Sequence, residues 1–127
     1  MKKIIITDEA AAPIGPYNQA VLINGFLYTS GQIAIDPKSG ETEFGSIEIE
    51  TKRVMKSLEA ILKAANLDFS KVIKATIYIS DMDNFGIINS IYGSYFDEEN
   101  APARETVQVA KLPKGANVEI SLIAFQD

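Results

Sequence analysis

The stretch SIEIETKRVMKSLEAILKAANLDFSKVIKATIYIS, from Ser46 to Ser80, decides the fold class. Within it Ile47, Thr51, Val54, Leu58, Ile61, Leu62 and Ala65 recur at three- and four-residue steps, which draws one apolar stripe along a helix of about five turns. Ser46 stands where a helix N-cap belongs, and Glu48 and Glu50 lie near the positive end of the helix dipole. From Val72 the period changes to two. Ile73, Ala75, Ile77 and Ile79 make one face of a strand, while Val72, Lys74, Thr76 and Tyr78 make the other. A helix that leads straight into a strand with one apolar face predicts helices packed on a sheet.

The flanking sequence supplies the rest of the sheet. Ile4 to Thr7 reads as a short edge, followed by a Pro/Gly loop from Glu9 to Pro16 that cannot hold a helix. Gln19 to Ile23 and Phe26 to Ser30 are strand-like runs joined by Asn24 and Gly25. Both joining residues tolerate positive φ, so the pair signals a hairpin. Asp36 to Gly40 reads as a second turn. Downstream, Asp83 reads as the cap of a second helix whose stripe is Ile88, Ile91, Tyr92 and Tyr95. Arg104 to Ala110 and Val118 to Phe125 read as the closing strands. The prediction is a single α+β domain over residues 1–127, one mixed sheet with two helices on one face.

In the last strand Val118, Ile120, Leu122 and Ala124 oppose Glu119, Ser121, Ile123 and Phe125. That second face is mixed, unlike the charged surface of a solvated sheet. Two helices cannot cover both sides of the sheet, so self-association, with a closed cyclic oligomer, is expected to cover the far one.

Composition narrows the chemistry. The 127 residues carry 17 acidic and 12 basic side chains, a formal charge of −5. The lysines are scattered and the only arginines are Arg53 and Arg104, which argues against a nucleic-acid partner. With no Cys and no His, a disulfide scaffold, a thiolate or imidazole metal site, a cysteine nucleophile and a Ser-His-Asp triad are all excluded. The run Ile4 to Ile6 is far shorter than the roughly 7–15 apolar residues of a signal core or the roughly 20 of a spanning helix. A cytoplasmic protein with no membrane partner is the expectation.

A few residues stand out against this background. Arg104 opens a strand of otherwise neutral character. It is either a rim arginine in a surface ion pair or an anion clamp gripping a carboxylate through two parallel hydrogen bonds. Glu119 interrupts an apolar run. It is either solvated or paired, or it lines a pocket, where a raised pKa would let it handle a water proton near neutral pH. Tyr17, in the Gly15–Pro16 loop, is a packed lid or a ligand-facing ring. Ser30 and Gly31 end a strand, where a glycine either serves a turn or lets a ligand approach a bare amide.

These residues also carry a resemblance. Ile14 to Ala20, Ser30 to Ile33, Asp36 to Glu41, Pro102 to Arg104, Val109 to Pro113 and Val118 to Ile120 lie in an order and spacing similar to the RidA/YjgF family, also called the endoribonuclease L-PSP family. The resemblance spans nearly the whole chain. It implies a chorismate-mutase-like fold assembled as a homotrimer, with sheets facing inward and clefts between subunits. It implies that Arg104 binds the substrate carboxylate, that Glu119 positions the attacking water, and that Tyr17, Ser30, Gly31 and Asn89 line the pocket. The implied substrates are the enamines 2-aminoacrylate and 2-aminocrotonate or their imine tautomers, hydrolysed to 2-keto acids and ammonia without cofactor or metal. Such hydrolysis starts from a carbon that is already electrophilic and calls for orientation, a placed water and proton handling, with no nucleophilic side chain.

Arg104 and Thr106, two apart on a strand, are expected to share a face, with backbone near Thr106 helping Glu119 to fix the water. Glu105 and Thr106 depart from the family pattern, which often has a small residue and a cysteine there, and Asn18 stands where serine is common. Strand alternation turns Glu105 away from Arg104. A non-catalytic trimer sensing small 2-keto acids is the competing reading; it shares Arg104 and does not need Glu119. A ribonuclease, suggested by the family's other name, is disfavoured by the acidic charge and the missing histidine.

Overall fold

The computed structural model describes residues 1–127. The strands are β1 (Lys3–Ile5), β2 (Ala20–Ile23), β3 (Phe26–Thr29), β4 (Val72–Ile79), β5 (Ala103–Gln108) and β6 (Val118–Phe125). The helices are α1 (Ile47–Ala64) and α2 (Phe85–Gly93). All six strands form one sheet in the order β1-β2-β3-β6-β4-β5. Every neighbouring pair is antiparallel except β4 and β5, which run parallel around α2. The architecture is the mixed α+β sheet with two helices read from the sequence.

Local chemistry explains most boundaries. Ser46 caps α1, its hydroxyl accepting the Ile49 amide proton at 3.1 Å. Asn24 (φ 51°) and Gly25 (φ 83°) take the left-handed conformations that a tight hairpin needs between β2 and β3. Val54, Leu58, Ile61 and Leu62 of α1 and Ile88 of α2 are buried against Ala75, Ile77 and Ile79 of β4 and Val118, Ile120 and Leu122 of β6. Each such side chain, fully buried, contributes roughly 1.5–3 kcal/mol of hydrophobic stabilisation.

Four local readings change. Asp83 does not cap α2. A 3₁₀ turn over Met82–Asn84 precedes the helix, and the Asp81 carboxylate accepts the Asp83 amide proton at 2.9 Å. Tyr95 lies beyond the end of α2 and packs against the core beside Phe69, ring centroids 5.1 Å apart and planes tilted by 54°. Ile73 does not join the core face of β4. A bulge between Val72 and Lys74 breaks the two-residue alternation, so Val72 is buried and Ile73 is 45% exposed. Gln19 precedes β2. Its buried amide holds the Thr7–Ala11 segment by accepting from the Thr7 amide and donating to three carbonyls, those of Thr7, Ala10 and Ala11.

Glu50 also does more than meet the helix dipole. It is fully buried, and its carboxylate accepts both the backbone amide proton (2.7 Å) and a side-chain amide proton (2.8 Å) of Asn117. Hydrogen bonds to a charged group are worth roughly 1.5–3 kcal/mol each. This clasp ties α1 to the start of β6, two residues before Glu119.

The far face of the sheet carries Phe26, Tyr28, Tyr78, Val107, Ile123 and Phe125, and neither helix covers it. Tyr28 and Val107 are each 43% exposed. No helix is long and apolar enough to cross a membrane.

Candidate active site

The register of the sheet separates the candidate residues into two groups. Arg104 and Thr106 on β5 pair with Ala75 and Ile77 on β4, whose side chains face the helices. Glu119 on β6 pairs with Tyr78, which faces the other way. In one chain Arg104 and Glu119 therefore stand on opposite faces of the sheet.

On the helix side, Arg104 reaches α2. One Nη1–H donates to the Asn89 side-chain oxygen. The guanidinium carbon lies 5.3 Å from the centre of the Tyr92 ring and 5.6 Å from that of Phe85. Arg104 is exposed, and with Asn89, Tyr92, Phe96 and Glu98 it lines an open cavity of about 660 Å³. Arg104 makes no ion pair within the chain and gives one N–H to Asn89. Thr106 shares this side. Its hydroxyl is buried and has no protein partner. Glu105 does turn away and pairs with Lys74 at 3.2 Å on the far face.

On the other face, Glu119, Tyr17 and Gly31 line a second cavity of about 390 Å³. Its walls are largely apolar, formed by Pro13, Ile14, Ile33 and Ile35. Burial pushes the Glu119 carboxyl above its ordinary pKa of 4.5, because the walls strip water from the charged form. Gly31 sits directly on this carboxylate. A Cβ built on Gly31 would meet Oε2 and lie 2.7 Å from Cδ of Glu119. The need for glycine here is thus close approach by the glutamate itself. Gly31→Ala is expected to displace Glu119 and lower turnover about as much as changing the glutamate, while leaving thermal stability within a few degrees; activity and melting measured side by side check it.

Ser30 stands beside this cavity, outside its lining. Its hydroxyl donates to the Asn18 carbonyl and its amide to the Gln19 carbonyl at 2.8 Å, so it anchors the loop carrying Tyr17. The structure thus joins Arg104 with Asn89, and Glu119 with Gly31 and Tyr17; it does not join the two sets. Phe85 and Tyr92 escaped the sequence reading as site residues. Their spacing with Asn89, at i, i+4 and i+7, places all three on one helical face, a signal masked by reading Tyr92 as part of an apolar stripe.

The chain is thus a single α+β domain with two separate open cavities, one lined by Arg104 and the other by Glu119. The chain belongs to the endoribonuclease L-PSP family, also known as RidA/YjgF, whose profile matches residues 7–126. It is 49% identical over 126 residues to a RutC family protein of Synechocystis, covering 96% of this chain and 95% of that one. It is 48% identical over 126 residues to the 2-iminobutanoate/2-iminopropanoate deaminase of Rattus norvegicus, covering 99% of this chain and 91% of the rat protein. Among solved structures, E. coli TdcF with bound serine superposes with a TM-score of 0.92 at 39% identity, covering 98% of this chain and 99% of that one.

Proposed function

We propose that this protein is an imine deaminase, a hydrolase acting on C=N bonds, that converts 2-imino acids and their enamine tautomers to 2-keto acids and ammonia. We further propose that its working site forms between copies, in a cyclic homotrimer, from Arg104 and Asn89 of one subunit and Tyr17, Gly31 and Glu119 of its neighbour. The observation that carries this reading is the placement of Arg104 and Glu119 on opposite faces of the sheet, each lining an open cavity. A single chain cannot present both to one small substrate. The uncovered apolar residues of the far face, and the exposed edge strand β5, supply the contact surface such an assembly needs.

In this site the Arg104 guanidinium grips the substrate carboxylate with paired N–H donors and so fixes the imine carbon. Glu119, as carboxylate, accepts a proton from the attacking water as oxygen bonds to that carbon. The C=N π electrons move to nitrogen. The proton passes from Glu119 to nitrogen and gives a carbinolamine; Glu119 then takes the hydroxyl proton and delivers it to the amino nitrogen as the C–N bond breaks, so that the carbonyl forms and ammonia leaves. Water supplies the keto oxygen and ammonia is the leaving group. The proposed substrates are small 2-imino acids such as the tautomers of 2-aminoacrylate and 2-aminocrotonate.

Mixing two inactive variants tests the chemistry and the assembly together. Arg104→Ala and Glu119→Gln proteins, each inert alone toward imines released by a threonine dehydratase, are unfolded, mixed and refolded. Random association in a ring leaves about one intersubunit site in four with both residues intact, so about a quarter of the wild-type rate should return. No recovery from a mixture that has re-formed oligomers would overturn the intersubunit site. A wild-type protein that never accelerates imine loss would overturn the deaminase and leave the keto-acid sensor.

A further inference from the structure

We propose that Phe85 and Tyr92 are positioning residues that form an aromatic clamp on Arg104 and set its affinity for the substrate carboxylate. The role rests on the deaminase reading only in taking the substrate to be a carboxylate. Two rings from one helix face meet the guanidinium, at 5.6 and 5.3 Å from their centres. The faces of a guanidinium are its aromatic-stacking surfaces, whereas its five N–H donors lie in its plane. Contacts with the rings therefore restrain the group without consuming a donor, and Asn89 takes one Nη1–H and fixes rotation in the plane. Arg104 itself lines the 660 Å³ cavity. An arginine free on an exposed edge strand would instead lose rotamer entropy whenever it gripped a ligand.

The Tyr92 side chain supports a role for the ring rather than the hydroxyl. The residue is 5% exposed, and its buried hydroxyl has no hydrogen-bond partner. Burial pushes the phenol up to about 12, with Arg104 offsetting part of that rise, so the ring beside the guanidinium stays neutral. The ring also packs on Phe96, centroids 4.7 Å apart, which holds it from behind.

The chain's arginine count makes the clamp directly observable. Only Arg53 and Arg104 contribute Nε–Hε signals to a ¹H–¹⁵N spectrum, and Arg104→Lys assigns them. In the wild-type assembly the Arg104 signal should be displaced by the rings. Tyr92→Leu and Phe85→Leu should each return it toward the position of an arginine in an unstructured peptide and weaken binding of 2-ketobutyrate about ten-fold, with KM rising more than kcat falls. Tyr92→Phe keeps the ring and should retain both the shift and the affinity. The proposal is overturned if Tyr92→Phe is as damaged as Tyr92→Leu, if a folded Phe85→Leu protein binds as the wild type does, or if the wild type binds no small carboxylate. A wild type that binds 2-ketobutyrate with the expected pattern yet hydrolyses no imine would support the clamp and overturn the deaminase.

Discussion

Arg104→Ala is expected to lower kcat/KM for 2-imino acids roughly 10²- to 10⁴-fold, because it removes two charge-assisted hydrogen bonds worth roughly 1.5–3 kcal/mol each. Stability should barely change. Arg104 is exposed at the edge of the sheet and makes no ion pair, so its loss opens no cavity in the core. Arg104→Lys is the sharper variant. It keeps the charge and loses the planar fork that matches a carboxylate, so it should recover only a small part of the rate. A lysine variant as fast as the wild type would reduce Arg104 to a point charge and remove the paired-donor geometry from the mechanism. Full activity in Arg104→Ala would remove the carboxylate clamp altogether.

Glu119→Gln is expected to lower kcat roughly 10²- to 10⁴-fold, the usual contribution of a placed general base, while leaving 2-ketobutyrate affinity nearly intact. The amide fills the same space between Gly31 and the apolar wall but cannot take a proton from water. The pH profile provides a second readout. Burial raises the Glu119 pKa, so the acid limb of kcat/KM should fall above the ordinary glutamate value of 4.5, with activity lost as pH drops through the raised value. Stability moves in the opposite sense. The folded state holds the Glu119 proton more tightly than the unfolded chain, so this group's contribution is present below the ordinary value and is lost as pH rises through the raised one. Glu119→Gln removes that loss, and the variant should be slightly more stable than the wild type at neutral pH. An inactive variant that is also less stable would instead mean that Glu119 holds the structure. A sensor that needs no base would show unchanged ligand binding and have no turnover to lose.

The same residues show how much the sequence revealed. Periodicity placed α1, β4 and β6 because a helix or strand face is a local property of spacing. Ser46 and the Asn24–Gly25 pair were legible because caps and tight turns depend on a few consecutive residues. The misplaced Ile73 shows the limit. A bulge is an irregularity in pairing, and its presence between Val72 and Lys74 depends on the partner strand β6. Glu50 was read only as complementing the helix dipole and Gln19 only as the start of a strand, since the partners that bury them lie 67 residues away and 8 to 12 residues away respectively. Gly31 was read as serving a turn or a ligand's approach to a bare amide, and the group that approaches it in the chain is the Glu119 side chain.

By itself, then, the sequence determined the class of the fold, the stripe that faces the core, and the short inventory of groups able to do chemistry in a chain without Cys or His. Only the tertiary structure decided that Arg104 and Glu119 face opposite ways. Alternation along β5 and along β6 orders neighbours within each strand, but relating the two strands requires the parallel register of β5 on β4 and the antiparallel register of β6 on β4. A slip of one residue in either pairing would bring both side chains to one face. The reading of a site shared between copies rests on that register.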